Sequence, residues 1–293
     1  MKASFGRTGR NLARGAGRLR LLFLMRGTIR VYWRILVAGF RRQSAYLLAA
    51  FGGLVANTTF GLLKVAILFA TVRAAGGELQ GYDVALMSTY IWVSQGLLGS
   101  VNLFGRIDIA DRIKDGDVAV DFLRPLDVQA AAITTEVGKS LFNLIPRGIP
   151  SVLIGGLVVG MALPDHPASY LLGAVSILLG IAISAATVYL VVAAPGFWLV
   201  ETRGLQILYM VVSGFLAGLF VPIWIFPKWL EMLAQATPFP SMMMYPVDII
   251  SGRVDVTESL VLLAVQLAWL AGVGALGQVL TRAGRRHLEV QGG

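Results

Sequence analysis

Residues 166–200, HPASYLLGAVSILLGIAISAATVYLVVAAPGFWLV, run for 35 positions without an Asp, Glu, Lys or Arg. A helix needs about 20 mostly apolar residues to cross the hydrocarbon of a bilayer. The run therefore predicts a span near 169–193, stopping just short of Pro195. The same count applied outward finds five more uncharged runs. Residues 43–63 give 21, with apolar pattern continuing past Lys64 to Val72; 84–105 give 22, 148–164 give 17, 204–227 give 24 and 259–281 give 23. Spans follow near 46–72, 84–104, 142–163, 169–193, 205–226 and 260–281. The predicted fold class is an all-α integral membrane protein with six transmembrane helices.

Composition agrees. Of 293 residues, 56% are hydrophobic and 14% charged, and mean hydropathy is +0.74; soluble domains carry about 25% charged residues. Six spans leave no room for a large soluble catalytic domain. The absence of Cys excludes disulfide scaffolds, Cys-ligated zinc, iron–sulfur clusters and thiol nucleophiles. Only His166 and His287 remain for a metal site or a His-based triad, so no metal is expected.

The net charge of +9 belongs to one arm. Residues 1–42 hold 11 Lys/Arg and no acid, leaving 14 Lys/Arg against 16 Asp/Glu elsewhere. Because this arm abuts a hydrophobic span, it reads as a topology determinant rather than a nucleic-acid surface. Lys/Arg-rich connections alternate with poor ones along the chain, which puts both termini in the cytoplasm. Residues 1–25 read as a basic, disordered extension. The apolar core Leu21–Met25 is five residues, below the 7–15 of a signal peptide, and Met25 is an alternative start. In 26–42, RGTIRVYWRILVAGFRR, the residues Ile29, Trp33, Leu36 and Phe40 recur at helical spacing beside Arg26, Arg30 and Arg34. That pattern predicts an amphipathic helix lying in the membrane interface.

Two connections stand out. Residues 105–128, GRIDIADRIKDGDVAVDFLRPLDV, carry six Asp and four Lys/Arg interleaved with Ile107, Ile109, Ile113, Val118, Val120 and Phe122. A short helix is expected over Asp108–Lys114, broken at Gly116, with Pro125 halting the next segment. A merely solvated loop has no use for so many large apolar residues, so a partner is expected to dock here. On the outer side, 221–250 is punctuated by Pro222, Pro227, Pro238, Pro240 and Pro246 around the amphipathic PKWLEMLAQA. It is too apolar for a water-exposed loop and too broken for a span. A re-entrant or cap-like hairpin between spans five and six is expected, since irregular backbone at membrane depth survives only when buried in protein or lining a cavity.

This order of parts resembles a type-2 ABC exporter permease, the membrane subunit of bacterial exporters that use a separate ATPase. Asp115-Gly116 followed by Leu123-Arg124-Pro125-Leu126 resembles that family's stretch ahead of span three. Ser213-Gly214, Pro222, Pro227-Lys228-Trp229-Leu230 and Pro238 resemble its signature in span five and the hairpin. The tail, Arg285-Arg286-His287 with Gly292-Gly293, is similar to one bacterial branch. The resemblance covers residues 26–293 as one permease domain. It implies export of a hydrophobic or amphipathic substrate across the bacterial plasma membrane. It also implies pairing with a second permease chain, sister or identical, and an ATP-binding-cassette ATPase docked on 105–128. Asp108, Asp111, Arg112, Asp115, Gly116, Arg124 and Pro125 are the expected coupling surface. Spans two and five would line the substrate path, through Tyr90, Ser94, Gln95, Tyr209, Met210 and Phe215. Pro222, Pro227, Trp229 and Pro238 would shape the outer hairpin. ATP and Mg would belong to the partner, so this chain is expected to hold no cofactor and to be no enzyme.

The residues themselves agree on that last point. Gly138-Lys139-Ser140 matches the end of a P-loop, but the first glycine would fall at Ile133, and no strand precedes it. Lys139 is expected to pair with Glu136 one turn earlier. Lys64 lies inside span one and is expected to face protein or to snorkel; Arg147 and Glu201 are expected as anchors or intersubunit pairs. The small residues Gly173, Ser176, Gly180 and Ser184 of span four read as a packing stripe. An ion-coupled secondary transporter or channel is the competing reading. It would call for an internal repeat or an acidic residue at mid-depth, and neither is found.

Overall fold

The computed structural model describes residues 27–291, which are nearly all helical. The basic extension 1–25, Arg26 and the closing Gly292-Gly293 lie outside them. In chain order the helices are α1 (27–44), α2 (Leu47–Ala74), α3 (Val84–Leu97), α4 (Asp108–Lys114), α5 (Val118–Phe122), α6 (Val128–Val158) and α7 (Pro167–Phe197). After these come α8 (Arg203–Leu216), α9 (Lys228–Gln235), α10 (Phe239–Met242), α11 (Met244–Ile250) and α12 (Val256–Gln291). Four of them, α2, α6, α7 and α12, are long and apolar enough to cross a membrane.

The third expected span begins earlier than its uncharged run. The helix starts at Val128, capped by the Asp127 carboxylate, which accepts from the Ala130 amide at 2.7 Å. It carries Glu136 and Lys139 because these pair with each other, so the charges do not end the helix. Pro146 sits in a π turn, Leu144–Gly148, that absorbs its missing N–H without stopping the helix. Pro195 is handled alike, following a π turn at Tyr189–Ala193.

The second and fifth expected spans are shorter than 84–104 and 205–226. Helices α3 and α8 have 14 residues each, roughly 21 Å at 1.5 Å per residue, against hydrocarbon about 30 Å thick. Irregular backbone follows each of them, and each helix satisfies carbonyls in the extension of the other. Beyond α3, the Asn102 carbonyl accepts from the Tyr209 hydroxyl at 2.9 Å, and the Leu103 carbonyl from Ser213 at 2.9 Å. Beyond α8, the Gly218 carbonyl accepts from the Tyr90 hydroxyl at 2.7 Å, and the Leu219 carbonyl from the Lys64 ammonium. Lys64 therefore faces protein. Buried backbone groups left unpaired would cost several kcal/mol each in lipid.

The last span extends past its expected limits of 260–281. Asp255 and Glu258 open it with a reciprocal cap: the Glu258 amide donates to Asp255 at 2.7 Å and the Asp255 amide to Glu258 at 3.1 Å. The small-residue stripe of α7 packs as expected. A Cβ at Gly180 would overlap the Met242 carbonyl, and one at Gly173 would overlap Ile250. This brings the proline-broken segment α10–α11 alongside α7, from near its start to about its middle. Gln266 of α12 ties the three together, donating to the Ser176 and Ser241 carbonyls at 3.0 and 2.7 Å and accepting from the Ser176 hydroxyl at 2.9 Å. At the other end, α1 packs through Phe40, edge-on to Phe142 at 5.3 Å, while Ile29 and Trp33 stay exposed. The apolar stripe of that helix is thus shared between protein and surroundings.

Candidate functional site

The 105–128 connection forms two short helices, as its sequence requires. Gly116 has φ +81 between α4 and α5, in the left-handed region that favours glycine. Ile107, Ile109, Ile113 and Val118 are buried against the bundle, and Phe122 lies 6.1 Å from the Phe197 ring. The Arg285 guanidinium covers the Phe122 ring at 5.5 Å, bringing the end of α12 to the same place.

The expected coupling residues divide into two groups. Asp108 and Arg112 brace the segment from within. Asp108 accepts from Arg42 of α1 and Lys139 of α6, both at 2.6 Å, so three elements meet on one carboxylate. Burial pushes the Asp108 carboxyl up, but the hydrogen bond and charge of Lys139, aided by Arg42, outweigh it and hold the group below its ordinary value. Arg112 reaches Asp121 at 2.8 Å, and Asp121 also pairs with Arg124 at 3.5 Å. Glu201, expected as an anchor or intersubunit partner, instead takes Lys114 at 2.7 Å within the chain. The second group, Asp111, Asp115, Gly116, Arg124 and Pro125, faces outward. Between these polar residues stand two apolar side chains with nothing over them: Val120 is 55% exposed and Leu123 85%. The result is a rigidly braced platform whose outer face mixes apolar side chains with charge.

The expected path residues divide as well. Tyr90, Ser94, Gln95 and Tyr209 are buried inside the chain. Tyr90 and Tyr209 hold the carbonyls described above, and Ser94 donates to the Ile91 carbonyl at 2.9 Å. The Gln95 carbonyl accepts from Asn57 at 2.8 Å. Met210 and Phe215 lie on the exposed face of α8 with Ile207 and Val211, and Phe215 packs on Phe220 at 5.1 Å.

In the hairpin, Pro222 is buried at the start of a 3-10 turn over Ile223–Ile225, and Pro227 precedes α9. Trp229 is exposed on α9, and Pro238 leads into α10. The sequence reading missed the group that fixes this hairpin. Asp248, fully buried in α11, accepts from the Trp224 indole at 2.9 Å and the Tyr82 hydroxyl at 3.3 Å, and pairs with Arg253 at 3.6 Å. The Arg253 guanidinium is sandwiched between the Tyr82 and Trp224 rings at 4.9 and 5.0 Å. The available signal was that Asp248 is the one charge between Glu231 and Arg253.

Among the described residues, no cluster of His, Asp or Glu has the grouping of a metal site. Lys139 of the P-loop-like GKS is held by Glu136 at 2.7 Å and Asp108 at 2.6 Å. No curated protein and no solved structure matches the chain significantly. The family described as ABC-2 family transporter protein matches residues 55–290, from within α2 to the end of α12. With four helices able to cross a bilayer, this is a multi-pass membrane protein, and the chain belongs to the ABC-2 family of transporter permeases.

Proposed function

We propose that this chain is the membrane-spanning permease of an ATP-binding-cassette exporter, driven by a separate ATPase subunit that docks on α4 and α5. The observation that carries the reading is the platform at 105–128. Leu123 and Val120 are exposed amid Asp111, Asp115 and Arg124, on a segment held by ion pairs to α1 and α6. ATP and Mg belong to the partner; this chain hydrolyses nothing itself. The chain crosses the bacterial plasma membrane six times, through α2, α6, α7 and α12 and through α3 and α8 with their irregular extensions. Both termini are cytoplasmic and α1 lies in the inner interface. Segment α10–α11 is a re-entrant hairpin entered from outside. A second permease chain, a sister chain by the character of the tail, completes the path. The substrate, hydrophobic or amphipathic, meets Met210 and Phe215, while Tyr90 and Tyr209 hold the wall from behind.

Two measurements test this reading. Charge reversal by Asp111→Lys with Asp115→Lys leaves the chain folded in the membrane, since neither residue takes part in the bracing pairs, but should lower ATPase retention several-fold and increasingly so at low salt. Intact transport and retention would refute the assignment of this surface. Cysteines at Ala74 and Glu231 should label from outside the cell, and one at Lys114 should not; the reverse pattern contradicts the topology.

A further inference from the structure

Arg147 projects from the π turn of α6 into a slot between α2 and the end of α3. Glycines make the slot: a Cβ at Gly53 would overlap the guanidinium, and one at Gly99 would press on it at 3.0 Å. Its surroundings are polar but carry no opposite charge. Its Nη2 donates to Asn57 Oδ1 at 3.2 Å, its buried Nε has no hydrogen-bond partner, and among the described residues no carboxylate lies within ion-pair distance. The nearby amides are already engaged. Asn143, one turn before Arg147, donates to the Gly99 carbonyl at 2.8 Å and accepts from Gln43 at 3.3 Å. Gln43 sits at the junction of α1 and α2, which places the slot toward that end of the bundle. On the faces turned away from the slot the same two helices are apolar and exposed, at Leu48, Phe51 and Val55 of α2 and at Ile145 and Ile149 of α6.

An intramembrane cation with an unfilled donor set and no acid is expensive unless an anion completes it. A guanidinium offers a planar fork that fits two oxygens of a phosphate, and basic pockets between spans on the cytoplasmic side take anionic lipid headgroups. The exposed apolar faces of the two helices that form the slot suit the acyl chains that come with such a headgroup. We infer that the Arg147 slot binds the phosphate of an anionic phospholipid from the inner leaflet, held by the guanidinium, with the acyl chains lying along α2 and α6. The leaflet rests on the topology proposed above; the site itself does not.

The test is native mass spectrometry of the full chain, purified in mild detergent and delipidated, then titrated with phosphatidylglycerol, phosphatidylcholine or inorganic phosphate. One phosphatidylglycerol adduct per chain is expected, with phosphatidylcholine weaker. Arg147→Gln should weaken it about tenfold, whereas Arg73→Gln at the far end of α2 should leave it unchanged. Equal binding by Arg147→Gln overturns the inference, and so does displacement of the lipid by millimolar inorganic phosphate, which would mark a free-anion site. Should Arg147→Gln fail to fold, a photoactivatable phosphatidylglycerol on the wild-type chain decides: crosslinks within 43–57 or 143–150 support the site, and their absence overturns it. The Lys114 cysteine reads sidedness separately, so a retained adduct with reversed labelling would refute the topology and leave the site standing.

Discussion

Replacing Val120 and Leu123 together by aspartate should abolish retention of the ATPase while the chain still inserts and folds. Both side chains are exposed in the isolated chain, so their loss costs the fold little. Burying a Val or Leu side chain against a partner contributes about 1.5–3 kcal/mol each, and a carboxylate forced into the same contact adds a desolvation penalty. The two together correspond to a loss of at least about 100-fold in affinity. The measurement is co-purification of the ATPase with tagged wild-type and variant chains at equal expression. Retention within a few-fold of wild type would show that the apolar part of the platform is not where the partner sits. The charge reversal at Asp111 and Asp115 should be the milder change, because exposed charges act chiefly on encounter rate and are screened by salt.

The second large effect is expected inside the brace. Lys139 and Glu136 have side chains 15% and 11% exposed, and Lys139 also holds Asp108. Lys139→Met leaves one nearly buried carboxylate unpaired and strips Asp108 of one of its two partners. Removing one partner of a buried pair costs about 3–5 kcal/mol; the half-exposed Asp108, still held by Arg42, places this case near the lower figure. Loss of the pair should also free α4 from α6, so transport should fall even in the fraction that remains folded. The double variant Glu136→Gln with Lys139→Met removes the stranded charge and should recover more than half of the lost stability. Thermal unfolding of the three proteins in detergent checks this; a double variant no better than the single would mean that Lys139 acts through Asp108 alone.

How much of this was readable from the residues depends on the element. Uncharged runs located α2, α7 and α12 because these helices have no charge that pairs internally at mid-length, apart from Lys64. The same count started α6 too late, since Glu136 and Lys139 look like an end of apolar sequence until their pairing is seen. It also stretched the second and fifth spans. An uncharged residue is not thereby helical, and Gly105 and Gly218, both at positive φ, lie where the chain has already left the helix. In the platform, Gly116 as a break and α4 as a helix followed from local chemistry. The division of faces did not: Asp108 and Arg112 were grouped with Asp111 and Asp115 as one outer surface, and the structure turns the first two inward as braces. The partners of Asp108 did not follow: Arg42 and Lys139 lie 66 and 31 positions away, and nothing local announces them. Tyr90 and Tyr209 illustrate the same limit. Their chemistry suited a substrate path, but each is held to a carbonyl more than 100 positions away, of Gly218 and Asn102 respectively. Asp248 and Arg253, five positions apart and beyond any helical pairing, came to light only with the fold.

The central claim is that this permease is driven through the 105–128 platform by a separate ATPase. Mass spectrometry of what co-purifies with the tagged chain from native membranes in mild detergent tests it most directly. The account predicts a P-loop ATPase in stoichiometric yield, together with a second permease chain. A chain recovered without any ATPase, under conditions in which a control ABC exporter keeps its own, would contradict it and turn attention to an ion-coupled mechanism.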